Sequence, residues 1–182
     1  WFVYLYTGNT TFLNFAFHVT VNSLRRAERD VFRDGLFLGC SSFMESNSGY
    51  PLKYKNNGML VGLTKALSTN LLYYNGYKLA VSMAKVLLEE KPSKDPKSLY
   101  LTDETIQDLT KRGNDLKQSI RHRFWMEDKG YYGYVLDEYD EFIPQMEGLG
   151  LALVLLSDDF EDSNQRARSI LNNTYSTNIG IP

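Results

Sequence analysis

TDETIQDLTKRGNDLKQSIRHRF, Thr102 to Phe124, decides the fold class. Ile106, Leu109, Gly113, Leu116, Ile120 and Phe124 recur at steps of three or four, which places them on one face of an α-helix. Thr102 stands where a capping hydroxyl belongs, and Asp103 and Glu104 fall in the first turn, where the helix dipole favours negative charge.

The same period appears on both sides of this segment. From Thr10 to about Asp30, Phe12, Phe15, Ala16, Val19, Ser23 and Ala27 form a stripe, with Thr10 or Thr11 as the expected N-cap. From Ser68 to about Glu90, a stripe of Tyr73, Tyr77, Ala80, Ala84, Leu87 and Leu88 follows a capping Ser68 and is closed by Pro92. Pro144 is expected at the first position of a helix running through QMEGLGLALVLL, apolar on nearly every side, and Glu161 to Asn172 reads as a shorter, more polar helix. The fold class is therefore all-α.

Connections between these helices alternate in length. Short links at Thr7–Thr10, Lys91–Tyr100 and Ser157–Phe160 alternate with long ones from Val31 to Leu67, from Trp125 to Ile143, and from about Asn173 onward. Antiparallel helices reverse direction at every link, so every second link lies at the same end of the array. The long connections are thus expected to share one face. Connections of that length are uncommon unless they are functional. Asp128, Lys129 and Gly130 form a turn ahead of a Tyr-rich, β-prone run, which predicts a small β-hairpin in the second long connection.

Composition bounds the function. With 43% hydrophobic and 14% aromatic residues, the 182-residue chain belongs with globular rather than disordered sequences. Its 20 basic and 22 acidic residues give a net charge of −2 with no basic stripe, so nucleic acid is not an expected partner. The longest apolar run, Leu151 to Leu156, is far short of the ~20 residues that span a bilayer, so no membrane partner is expected. A lone Cys40 excludes an intrachain disulfide and leaves the compartment open. His18 and His122 lack ligand companions at helical spacing, so neither a metal nor any other cofactor is expected. The acidic runs DEYDE and DDFED lack the order of a calcium loop and read as solvated turns.

Four segments, DGLFLGCSSFMESNSGYP, KALSTNLLYYNGYKLAVSMA, RFWMEDKGYYGY and EGLGLALVLL, occur in this order and touch most of the chain. Together with the alternating loops they resemble the six-hairpin, (α/α)6-toroid glycosidases, in the neighbourhood of trehalases and amylo-α-1,6-glucosidase-like enzymes. The resemblance implies an all-α domain over residues 1–182 that forms about half of such a toroid. It also implies an inverting glycoside hydrolase of oligo- or polysaccharides, in which Glu45 is the general acid and the general base comes from a later hairpin outside this chain. Many relatives carry an aromatic–Asp–Gly context where this chain reads Met44-Glu45-Ser46. A closed toroid needs six hairpins and this chain supplies about three, so it is expected to be a piece of a larger, active domain or to pair with a second chain over its open face. The chain alone is then expected to be inactive.

Inverting cleavage uses two carboxyl groups roughly 6.5–9.5 Å apart. Glu45, among Phe43, Met44 and Tyr50, is partly desolvated, which raises a carboxyl pKa and keeps a proton available; the competing reading is a turn cap or an ion pair with a nearby Arg. Phe43, Tyr50 and Trp125 are candidates to shape a sugar pocket, and Asn47 and Glu147 to hydrogen-bond substrate. Trp125 at a helix end is also a core candidate, and Glu147 in a first turn is also a dipole complement. Period two predicts that Tyr132 and Tyr134 share a face opposite Tyr131. The alternative from another class is a non-catalytic carbohydrate-binding or structural α/α module.

Overall fold

A computed structural model describes residues 1–39, 52–55, 57–90, 101–144, 147–157, 160 and 172. The described chain is mainly helical: α1 (Phe2–Thr7), α2 (Thr10–Val31), α3 (Leu67–Glu89), α4 (Asp103–Phe124) and α5 (Gly148–Leu156). Between them lie seven two-residue strands: β1 (Phe32–Arg33), β2 (Leu36–Phe37), β3 (Lys65–Ala66), β4 (Trp125–Met126), β5 (Tyr131–Tyr132), β6 (Val135–Leu136) and β7 (Phe142–Ile143). They form an antiparallel pair β1–β2, a pair β4–β5, and a three-stranded sheet in the order β3–β6–β7.

α4 follows its sequence pattern closely. Thr102 accepts the N–H of Thr105 at 3.2 Å, and Leu109, Gly113, Leu116, Ile120 and Phe124 are buried. Gly113 is small for a reason, since a Cβ there would stand 3.2 Å from the Cβ of Tyr77 on α3. The expected hairpin is also present: Trp125 pairs with Tyr132 and Met126 with Tyr131. Its turn closes through Gly130 N–H to Met126 O at 2.8 Å, with Gly130 in the left-handed region at φ 69°.

α3 is the hub, packing against α2, α4 and α5. Leu67, Leu71, Tyr74, Tyr77, Ala80, Met83, Ala84 and Leu87 are all buried, a wider surface than the single stripe expected. The expected cap Ser68 lies inside the helix, and Ala66 occupies the cap position without a side-chain bond. Strand β3 runs straight into α3, and the sheet supplies the partner: Leu67 N–H donates to Tyr134 O at 3.0 Å.

α2 is capped by Asn9, which accepts the N–H of Phe12 at 2.9 Å, rather than by Thr10 or Thr11. Its buried face is Leu13, Phe17, Val21 and Leu24, whereas the expected stripe of Phe12, Phe15 and Val19 is exposed. Both stripes have helical spacing, and the position of α3 selects between them. The last helix also starts later than expected. Pro144 follows β7, and the residue before a proline favours extended backbone. Glu147 then caps α5 by accepting the N–H of Gly150 at 2.8 Å. The segment read as a helix from Glu161 lies, apart from Asn172, outside the described residues, as do Pro92 and the links at 91–100 and 158–159.

The long connections meet. β3 from the first pairs with β6 from the second, Lys65 opposite Leu136 and Ala66 opposite Val135. Asn70, fully buried on α3, ties in the β1–β2 hairpin: Oδ1 accepts Phe37 N–H at 2.7 Å, and Nδ2 donates to Phe37 O at 3.1 Å and Ala66 O at 2.9 Å. Removing that amide strands buried backbone groups at a cost of about 3 kcal/mol. Asn70→Ala is therefore expected to lower the unfolding free energy in urea by about that amount; a loss below about 1 kcal/mol would show that Asn70 does not anchor the hairpin.

Candidate functional site

The end of the array where α2 finishes, α3 starts and α4 finishes carries a small platform built from both long connections. Gly39 joins its edge, donating N–H to Thr64 O at 2.8 Å and bridging to Lys65. At the other side of residues 40–51, the 3₁₀ turn Leu52–Lys55 brings in Lys53 and Tyr54. Tyr54 packs fully buried with Val61, Ala66, Tyr134 and Val135 in a core separate from the main one.

Two lysine clamps tie the connections together. Lys53 donates to the Asp137 carboxylate and lies 3.3 Å from Glu138, whose Oε2 also accepts the Tyr54 hydroxyl at 2.7 Å. Asp137 is 2% exposed, and its Oδ1 also accepts the N–H groups of Tyr139 at 2.9 Å and Glu141 at 2.8 Å. In the second clamp the buried Lys65 amine lies 2.5 Å from Asp140 and 3.7 Å from Asp34, and Arg123 reaches Asp140 at 3.5 Å. Asp140 sits at φ 64°, a left-handed conformation that Asp tolerates better than most residues.

These contacts fix the charge states. Burial alone would raise the Asp137 carboxyl, but hydrogen bonds from Lys53 and the two backbone N–H groups outweigh it and hold the group below its usual value. Burial likewise acts upward on Asp140, and Lys65 and then Arg123 bring it below normal. Tyr54 lowers Glu138, while the Lys53 amine is raised by its bond to Asp137. Burial followed by the Glu138 bond pushes the Tyr54 hydroxyl up. All three carboxylates are ionised at neutral pH, so they accept hydrogen bonds and are not proton donors. The DEYDE run is a turn, exposed at Tyr139, Asp140 and Glu141 as its composition suggests, whose Asp137 and Glu138 also serve as a joint between the connections.

Of the sequence-derived site residues, Phe43, Glu45, Asn47 and Tyr50 lie outside the described residues. Trp125 is half-buried on β4, with its ring edge-on to Tyr132 at 5.0 Å and its Nε1 donating to Glu127 at 2.5 Å. Glu147 is half-buried as the α5 cap, and β5, the partner of Trp125's strand, packs on α5. Gly150 permits the close seat of α5: a Cβ there would meet Leu67 Cδ2 at 2.9 Å. Tyr132 and Tyr134 are both buried, yet they enter different cores, because β5 ends at Tyr132 and Gly133 N–H turns to Phe124 O at 2.7 Å.

A second polar cluster lines a cleft of about 410 Å³ between α2 and α4. Glu28 accepts the Tyr77 hydroxyl and Arg112 Nη1 at 2.8 Å, and Arg112 Nε reaches Asp108 at 2.8 Å. Burial followed by the Glu28 bond raises the Tyr77 hydroxyl. This cluster bridges two parallel helices across α3.

Comparisons of the chain with protein-family models, with curated proteins and with solved structures returned no match.

A carboxyl depressed in the folded state stabilises the fold above its unfolded pKa, and that stabilisation is lost as pH falls through the folded value. Asp137→Asn keeps an acceptor for the turn but removes the charge facing Lys53. It is expected to cost about 1–2 kcal/mol at pH 7. The difference from wild type should vanish in acid, below the ordinary carboxylate range, where Asp137 is itself protonated. Equal urea midpoints for both proteins at pH 7 would contradict the clamp.

Proposed function

We propose that the chain is part of an inverting glycoside hydrolase of the six-hairpin, (α/α)6-toroid type, acting on an oligo- or polysaccharide, with Glu45 as proton donor. One observation carries the reading: the two long connections, 31–67 and 125–143, join at one end of antiparallel helices through β3–β6. That convergence is what a loop-built pocket at one mouth of a helical array requires. The stretch holding Glu45 starts and finishes beside that joint, at Gly39 and Leu52. Phe43, Tyr50 and Trp125 then shape the sugar pocket, with Asn47 and Glu147 as hydrogen-bonding groups.

The exposed stripe of Phe12, Phe15 and Val19, with Phe2, Leu5 and Tyr6 of α1, supports a further part of the reading. Apolar surface of this extent calls for cover. In this proposal the remaining hairpins of the toroid, or a second chain, supply it.

A second reading, a non-catalytic carbohydrate-binding or structural α/α module, is favoured by the state of the carboxylates. Asp137, Glu138 and Asp140 are engaged by lysines, and Glu147 accepts its own helix's N–H. In the hydrolase reading, the resemblance assigns the general base to a later hairpin rather than to these four carboxylates.

Glu45→Gln in the full-length protein separates the readings, because the amide keeps the shape and loses the proton. Loss of hydrolysis across a glycoside panel with oligosaccharide binding retained is the expected outcome. Hydrolysis at the wild-type rate would remove Glu45 from the mechanism, and binding without hydrolysis by both forms would establish the module.

A further inference from the structure

The stretch 40–51, which includes Glu45, is flanked on both sides by residues fixed to one small sheet, and the two ties differ in kind. On the first side the tie is backbone: Gly39 N–H donates to Thr64 O at 2.8 Å, and Gly39 bridges to Lys65 of β3. On the second side it is made by two adjacent side chains of the turn Leu52–Lys55. The Tyr54 ring is fully buried with Val61, Ala66, Tyr134 and Val135, and its hydroxyl donates to Glu138 at 2.7 Å. Lys53 donates to the Asp137 carboxylate and lies 3.3 Å from Glu138.

A 3₁₀ turn has three residues per revolution, so neighbouring side chains leave it about 120° apart. Tyr54 alone pins the turn at one point and leaves it free to swivel; Lys53, pulling in another direction, removes the swivel. The partner of Lys53 is itself held. Asp137 accepts the N–H groups of Tyr139 and Glu141, in a turn whose Asp140 is bound by Lys65 and Arg123. The direction in which the chain enters the turn at Leu52 is therefore set from the second long connection, 84 residues away. Closure entropy changes only slowly with loop length, so the clamp contributes little through the length of loop it closes. Placement is the sensitive quantity, since a displacement of ~1 Å at a reacting group costs on the order of a hundredfold in rate.

We propose that Lys53 is a positioning residue for the proton donor: by holding Asp137 it orients the stretch that carries Glu45 toward the leaving oxygen. This rests on the hydrolase reading above. In the step it serves, the Glu45 carboxyl gives its proton to the glycosidic oxygen as the C–O bond breaks, while water adds to the anomeric carbon and passes its proton to the general base. Lys53 acts through the turn and takes no part in the transfer.

The test measures kcat and KM of the full-length protein, wild type, Lys53→Met and Lys53→Arg, on the oligosaccharide that the wild type hydrolyses and on the corresponding glycosyl fluoride. Fluoride is a good leaving group, so hydrolysis of the glycosyl fluoride depends little on the donor. Lys53→Met keeps the aliphatic stem of a side chain that is 42% exposed, so neither core is opened. It is expected to lower kcat on the oligosaccharide at least about tenfold with KM within about threefold, and to lower kcat on the fluoride by less than about threefold. Lys53→Arg, whose guanidinium serves both carboxylates, is expected to hold the oligosaccharide rate within about threefold of wild type. A smaller folded fraction would depress both substrates alike. Equal losses on the two substrates, or wild-type rates in Lys53→Met, would thus overturn the positioning role while leaving the hydrolase reading in place. A wild-type protein that hydrolyses no member of the glycoside panel would overturn that reading and the positioning role with it.

Discussion

The pairing of β3 with β6 is the contact on which the rest of the arrangement depends. β3 runs directly into α3, and β6 follows the end of α4 after ten intervening residues, so two strands of two residues each fix where the central helix starts and tie it to the connection that leaves α4. A pair that short has little stability of its own. It is completed by β7 on the free edge of β6 and by Gly39 on the free edge of β3, beneath by Asn70, and across by Lys53 and Lys65, each with carboxylates 75 or more residues away in sequence. Because the joint does the capping, α3 needs no Ser, Thr or Asp before its first turn.

What could be read from the sequence follows from the range of the interactions involved. α4 and the 125–132 hairpin are specified locally, by a capping Thr, a clean period and a Gly at the one position of the turn that needs positive φ, and both stand where the sequence places them. α2 shows the limit of periodicity. Phe12, Phe15 and Val19 form as good a stripe as Leu13, Phe17, Val21 and Leu24, and only the partner helix distinguishes them. The start of α5 is not specified locally, because Pro144 fits a first helical turn as well as it fits the end of β7.

The site was legible to a smaller extent. Of the predicted residues within the described structure, Trp125 is placed as an edge of the core and Glu147 as a helix cap. The clamps leave no local signature, because the charges of DEYDE look like solvent-facing residues until Lys53 and Lys65 arrive from the other connection. A run of four acids in five residues would repel itself if left alone. The faint signal available was the placement of single lysines just ahead of Tyr54 and Ala66, inside otherwise β-prone or apolar surroundings. In the carbohydrate reading this joint gives the loop-bearing end a rigid floor, which is what a site assembled from long connections needs most.

The central claim is that the two long connections form one cooperative unit, and native-state hydrogen exchange tests it most directly. The amides to follow are Gly39, Leu67 and Asp137, which donate to Thr64, Tyr134 and Glu141. The account predicts that all three open with one common free energy, and that Lys65→Met lowers that value for all three together. Opening of Asp137 at a free energy well apart from that of Leu67, unchanged by Lys65→Met, would contradict it.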